Sequence, residues 1–173
     1  QEAFPLPHLS YAEAMELAYF GARVLHPRSV IPAIEAKIPL HIRNIFELDA
    51  PGTVISRKPK LDGRAVKGIT AIPEMVLLSL EGAGMIGVAG VSARLFKALA
   101  RARISVTLIS QGSSEQSICI VVNAADGQRA QTVIRETFAV EFRRKQIRRL
   151  VARTDIAVLA VVGAGMCGTA GIA

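Results

Sequence analysis

The sequence predicts a mixed α/β chain whose central part is an α+β sandwich, ordered β-α-β-β-α-β with both helices on one sheet face. Three observations carry this. Apolar runs and alternation mark strands at 75–80, 104–110, 117–122 and 147–152. Helical spacing fills the gaps: Val88, Val91, Leu95, Ala98, Leu99 and Ala102 over 88–102, then Ala130, Val133, Ile134 and Phe138 over 126–138. Finally, "GAGMIGVAG" at 82–90 joins the first strand to the first helix. "GAGMCGTAG" at 163–171 repeats it 81 positions later, after the apolar run 156–162, so a second unit is expected to open there.

The N-terminal part follows a different pattern. Ser10-x-x-Glu13 is a capping box, and Met15, Ala18, Tyr19, Ala22 and Leu25 follow at helical spacing. Pro27 should stop that helix, because the residue before a proline avoids helical geometry. A short helix over 29–36, a strand over 39–45, a turn at 47–53 and a return strand at 54–56 come next. In the strand at 104–110, Ile104, Val106 and Leu108 should share one face. The polar stretch "RKPKLDGRA", 57–65, reads as a domain boundary.

Composition narrows the function. The 173 residues are 51% hydrophobic and 20% charged with mean hydropathy +0.38, which argues for a filled core. The net charge of +7 invites a nucleic-acid partner, but aromatics are 5% and Trp is absent, so stacking platforms are scarce. The basic run 143–149 reads as a solvated loop, and no nucleic acid is expected. Cys119 and Cys167 are far apart in apolar contexts, which argues against a disulfide framework and for a reducing cytoplasm, and Cys119, within a strand, reads as an ordinary buried thiol. The N-terminus has no signal-peptide pattern. The 18 uncharged residues 156–173 reach the lower edge of a membrane span, yet β-branched residues followed by turn glycines favour a buried strand. A chain that opens on Gln1 and stops in mid-pattern at Ala173 is expected to be a piece of a longer one.

Gly82-x-Gly84-x-x-Gly87 has the spacing of a dinucleotide-binding turn. That reading requires an acidic residue on the following strand, and "ARISVTLIS", 102–110, has none. It also requires a helical crossover where six residues lead straight into the next strand. The glycines suit close packing, and a helix N-terminus offers N–H groups to a carboxylate. Ser105, Thr107, Ser110, Gln111, Ser113, Ser114 and Glu115 lie nearby in sequence with groups for an ammonium or hydroxyl. A small amino acid fits this chemistry better than a dinucleotide. His26 has no nucleophile placed with it and reads as a structural or hydrogen-bonding residue, and Met85 by itself reads as core.

"LSYAEAMELAYFGARVLHPRS", "IPLHIRNI" with "APGT", and "GAGMIGVAGVSARLFKALARARISVTLISQGSSEQSICIVV" resemble consecutive pieces of an aspartokinase. The resemblance is greatest to the threonine-sensitive kind fused to homoserine dehydrogenase. It implies the end of an amino-acid-kinase catalytic domain at 1–57 and a linker at 58–65. A ferredoxin-like ACT domain at 66–152 and the truncated start of a second ACT domain at 156–173 would follow. It implies nucleotide contacts at Arg23 and Val24, with arginine where the family has lysine. Effector contacts would fall at Gly84, Met85, Ile86, Ser105, Val106, Thr107, Gln111, Ser114 and Glu115. Thr107 replaces the aspartate that would meet a lysine effector, and Gln111 matches a threonine-contacting glutamine, so threonine is favoured over lysine.

The resemblance therefore implies a regulatory piece of a cytoplasmic aspartate kinase. The parent would transfer phosphate from MgATP to the β-carboxylate of aspartate, and the piece alone would be inactive. Neither a metal nor a cofactor is expected in the piece itself, and ACT pairing would make it a homodimer or larger homo-oligomer. A free-standing amino-acid-binding module and a dinucleotide oxidoreductase stand as the alternatives.

Overall fold

The computed structural model describes residues 5–21, 24–58, 63–112 and 116–166. The chain divides into two compact units, one built from Gln1–Ile72 with Val158–Ala173 and the other from Pro73–Ala157.

In the first unit, strand β1 (His8–Ser10) leads into helix α1 (Tyr11–Tyr19), followed by α2 (Pro27–Ala36), β2 (Leu40–Ile42) and β3 (Thr53–Ser56). The capping box at the start of α1 forms as the sequence predicts: Ser10 Oγ accepts from Glu13 N–H, and the Glu13 carboxylate accepts from Ser10 N–H. Helix α2 starts at Pro27, two residues before the expected start, because His26 caps it: Nδ1 accepts from the Arg28 N–H at 3.2 Å. His26 is thus a structural hydrogen-bonding residue. The strand expected over 39–45 is cut to Leu40–Ile42. Arg43 instead turns to donate to the carbonyls of Leu48 and Ala50, closing the loop that follows. Strand β3 lies between β1, parallel to it, and β2, antiparallel. Leu9, Tyr11, Ala14, Val30 and Ile55 form the core beneath.

The second unit holds the β-α-β-β-α-β order, its first and last strands each having five residues in the first unit. Strand β4 (Gly68–Glu81) and helix α3 (Val91–Arg101) are followed by β5 (Val106–Gln111), β6 (Ser117–Asn123), α4 (Ala124–Thr137), the short α5 (Ala139–Arg143) and β7 (Arg149–Val162). The sheet order is β5-β6-β4-β7, with β6 antiparallel to both β4 and β5. Inward-facing Val76, Leu78, Leu80, Ile118, Ile120 and Val122 meet Leu95, Leu99, Ala130, Ile134 and Phe138 from the helices. Burial of this size is the main stabilising contribution to the unit.

Four expectations need correction. β4 begins at Gly68, seven residues before the expected start, and β7 runs unbroken from Arg149 to Val162 where two separate strands were read. Each long strand contains one residue with positive φ, Glu74 in β4 and Asp155 in β7. Helix α3 starts at Val91, since Gly90 takes a left-handed φ of 89° as its N-cap, and Val88 is 53% exposed rather than on a buried helix face. Finally, the register of β5 against β6 shifts between Val106 and Leu108, so the shared face is Val106, Ile109 and Gln111, with Leu108 on the other side.

The two glycine turns are built alike. In the first, a Cβ on Gly82 would sit 2.3 Å from the Gln146 carbonyl oxygen and 2.6 Å from Ile147 Cα. In the second, a Cβ on Gly163 would sit 2.1 Å from the Ala65 oxygen and 2.9 Å from Val66 Cα. Both partners are shifted by the same 81 positions. The backbone bonds follow suit, with Arg148 N–H donating to Glu81 O and Lys67 N–H to Val162 O, each at 2.8 Å. The glycines are there for close backbone approach.

Candidate functional site

A cavity of about 310 Å³ opens in the second unit where the first glycine turn meets α3. Its lining comprises Met85, residues 88–93, Gln111 and Ile118. Met85 is 4% exposed and belongs to the apolar core as well as to the cavity wall, so both expected roles meet in one side chain. Gly90 caps α3 without a side-chain hydrogen bond, leaving the N–H groups of the first turn of the helix without a capping side chain. Gln111 reaches the cavity because of the bulge in β5. Uninterrupted alternation from Ile104 would turn it to the opposite face, whereas the extra residue at Thr107 sets it across from Ile118.

Other expected effector residues lie elsewhere. Gly84 packs against the backbone before β7, where a Cβ would fall 2.6 Å from Gln146 Cα, and its N–H donates to the Gln146 carbonyl at 3.0 Å. Ile86 is 48% exposed, Ser105 is exposed, and Val106 and Thr107 are half-buried. None of these five is among the cavity-lining residues. Ser113, Ser114, Glu115, Cys167 and Arg23 lie outside the described residues. Val24 is 70% exposed and lines a separate cavity of about 1030 Å³ in the first unit, walled by apolar residues including Leu9, Leu17 and Ile55 and by Arg64 and Lys67. The lining residues 88–90 were missed because helical spacing drew Val88 into α3, although the two glycines at 87 and 90 signal a turn.

Three carboxylates are held below their ordinary range. Burial raises the Glu13 carboxyl, but hydrogen bonds from Ala164 and Ser10 and the charge of Lys67 outweigh it. Glu81 is lowered by its bond from Arg149, at 2.6 Å, and by Ser79. Glu141 is lowered by Arg94, which also donates to the Thr137 carbonyl and stacks 4.7 Å above the Phe138 ring. These pairs brace the helices and the sheet edge. Among the described residues no group of three His, Cys, Asp or Glu side chains is placed to hold a metal ion. No helix among them is long and apolar enough to cross a membrane.

The sheet order decides against a dinucleotide fold. There, the strands flanking the first helix are parallel neighbours, whereas here β6 lies between β4 and β5. Residues 78–138 match the ACT domain family, and residues 1–44 match the amino acid kinase family. Over 168 residues, 97% of the chain, it is 42% identical to the bifunctional aspartokinase/homoserine dehydrogenase of Haemophilus influenzae. The chain belongs to the aspartokinase family. It spans 21% of that relative's length. The aspartate kinase of Clostridium acetobutylicum has the same fold, with a TM-score of 0.84 at 24% identity over 97% of this chain and 38% of that one. Aspartokinase III of E. coli, in its T-state complex with lysine and aspartate, gives 0.71 at 28% identity over 91% and 34%. In this aspartokinase segment, the end of an amino-acid-kinase fold is followed by an ACT domain.

Proposed function

We propose that this chain joins the catalytic and regulatory parts of an aspartate kinase, and that its unit at 73–157 senses an amino acid, threonine in preference to lysine. The observation that carries the reading is the cavity at the start of α3. Its volume of about 310 Å³ suits a small ligand. The helix N-terminus favours a carboxylate, and the Gln111 amide has both a donor and an acceptor for a hydroxyl or ammonium. Among the described lining residues there is no acidic side chain to meet the ammonium of a lysine side chain. The lysine bound by E. coli aspartokinase III makes an amino-acid effector the natural class.

The parent enzyme would transfer the γ-phosphoryl group of MgATP to the β-carboxylate of aspartate, with Arg23 and Val24 near the nucleotide. Threonine would inhibit by binding the inactive arrangement more tightly than the active one. The edge strand β5, with Leu108 39% and Ile109 55% exposed, is suited to pairing with the same strand of a second copy.

Calorimetric titration with L-threonine, L-lysine and NADPH, on the wild type and on Gln111→Ala, tests the sensor. Threonine should bind, and the variant should weaken it by about tenfold, the contribution of one hydrogen bond. Threonine affinity indifferent to the substitution, or lysine binding more tightly, would overturn the assignment. Binding of NADPH alone would return the dinucleotide reading.

A further inference from the structure

Two walls of the cavity assigned to the effector are joined by an exposed segment. Met85 stands at the end of the first glycine turn, and residues 91–93 belong to the first turn of α3. Residues 86–90 between them are all exposed and include two glycines with positive φ. A stretch with so little burial of its own is a poor spacer, so the shape of the cavity depends on what holds its two ends. Leu95 and Leu99, each 1% exposed, fix the body of α3, but its first turn needs a hold of its own.

Arg94 supplies that hold. Its N–H donates to the Gly90 carbonyl at 3.0 Å and closes the first turn of the helix. Its guanidinium reaches the end of α4 and α5: Nη1 donates to Glu141 Oε1, and Nη2 donates to the Thr137 carbonyl at 2.8 Å. Its Cζ also lies 4.7 Å from the centroid of the buried Phe138 ring. Glu141 in turn holds the other wall. Its carbonyl accepts from the Gln146 N–H at 2.9 Å and from the Ile147 N–H at 3.3 Å. The Gln146 carbonyl accepts from the Gly84 N–H at 3.0 Å, one residue before Met85. Both walls are thus tied to Glu141, one through its side chain and the other through its main chain. Oε2 of Glu141 is buried with no hydrogen-bond partner among the described residues, so the bond from Arg94 is the main compensation for that charge.

We propose that Arg94 is a positioning residue for effector binding: its bridge to Glu141 fixes the first turn of α3 against the glycine turn, so that the cavity is shaped before its ligand arrives. The proposal rests on the sensor reading. Arg94 is not among the described lining residues and acts through the residues it holds. A site held in this way binds more tightly because less of it has to be ordered on binding.

The test is made on the intact aspartate kinase containing this segment, with L-threonine and L-lysine as probes. Wild type is compared with Arg94→Gln, Glu141→Gln, the double variant and Arg94→Lys. Each single glutamine variant should raise the half-inhibiting concentration of the effector about tenfold, and the double variant should do no worse than either, because the two side chains act as one unit. Arg94→Lys keeps the charge but not the fork that meets two acceptors, and should fall between wild type and Arg94→Gln. In every variant kcat and the KM values for ATP and aspartate should stay within about twofold, a split that general loss of structure would not give. Unchanged inhibition in the single variants would overturn the proposal. So would effects that multiply in the double variant, or a kcat that falls in step with inhibition. If Arg94→Gln fails to fold, Arg94→Lys and Glu141→Gln decide by the same criterion. A wild-type enzyme indifferent to both threonine and lysine would instead sink the sensor reading, and this inference with it.

Discussion

Gly84 and Gly87 sit three residues apart and are glycine for opposite reasons. A Cβ on Gly84 would come within 2.6 Å of the Gln146 backbone, which cannot retreat without disturbing β7. Gly87 has open space around it but a φ of +67°, which a side chain tolerates poorly. Gly84→Ala should therefore cost about 2–3 kcal/mol through overpacking. Gly87→Ala should cost about 1 kcal/mol through backbone strain alone. Urea unfolding with unchanged m-values would measure both, and a reversed order would refute the close-approach account. Glu13 gives a prediction of a different kind. Its folded pKa lies below the ordinary 4.5. Between the two values the unfolded chain binds more protons, so stability rises with pH there. The contribution of Glu13 is complete above about pH 4.5 and is lost as pH falls through the folded value. Stability measured across that acid range should fall less steeply in Glu13→Gln than in the wild type. Glu81 and Glu141 titrate the same way and leave the variant a residual slope.

At the level of elements, what the sequence revealed was local and what it hid was not. Ser10 and Glu13 announce the capping box because both partners lie within one helical turn. The core faces of β4, β6 and α4 follow from periods of two and about four residues, and Leu78, Leu80, Ile120, Ala130, Ile134 and Phe138 are all buried as that pattern requires. The bulge in β5 has no such signature: "ISVTLIS" alternates well enough to conceal an extra residue, and the misplaced face carried Gln111 with it. Likewise, the left-handed backbone within the two longest strands falls on Glu74 and Asp155, where no glycine flags it. Without that signal, β7 reads as two strands separated by the charged "RTD" at 153–155. The cavity was legible only in part for the same reason. Met85 and Gln111 carry recognisable chemistry, while residues 88–90 contribute backbone and shape that a helical pattern absorbs. The bond between Glu13 and Ala164 spans 151 positions, and nothing in either local sequence points to the other.

For the molecule as a whole, the repeat of 81 residues makes a quantitative comparison possible. Leu78 and Leu80 are each 1% exposed beneath the helices of the ACT domain. Their counterparts one repeat later, Leu159 and Val161, are 68% and 44% exposed. Leu150, 7% exposed, has Ile69 as its counterpart one repeat earlier, 64% exposed. The same positions of the same pattern are covered in one copy and bare in the other, which is what a second ACT domain lacking its helices would present. We therefore expect residues beyond 173 in the parent protein to supply that cover. Leu159→Asp separates the two cases. In the 173-residue chain the substitution sits on the surface and should change stability by no more than about 0.5 kcal/mol. In a protein extended through one further repeat, the same aspartate would be buried without a partner and should cost about 3 kcal/mol or more. Denaturant unfolding of both chains reads the difference directly. An equally small effect in the two would mean that the second turn does not open a second sensor, and that the repeated glycines serve only to bring two backbones together.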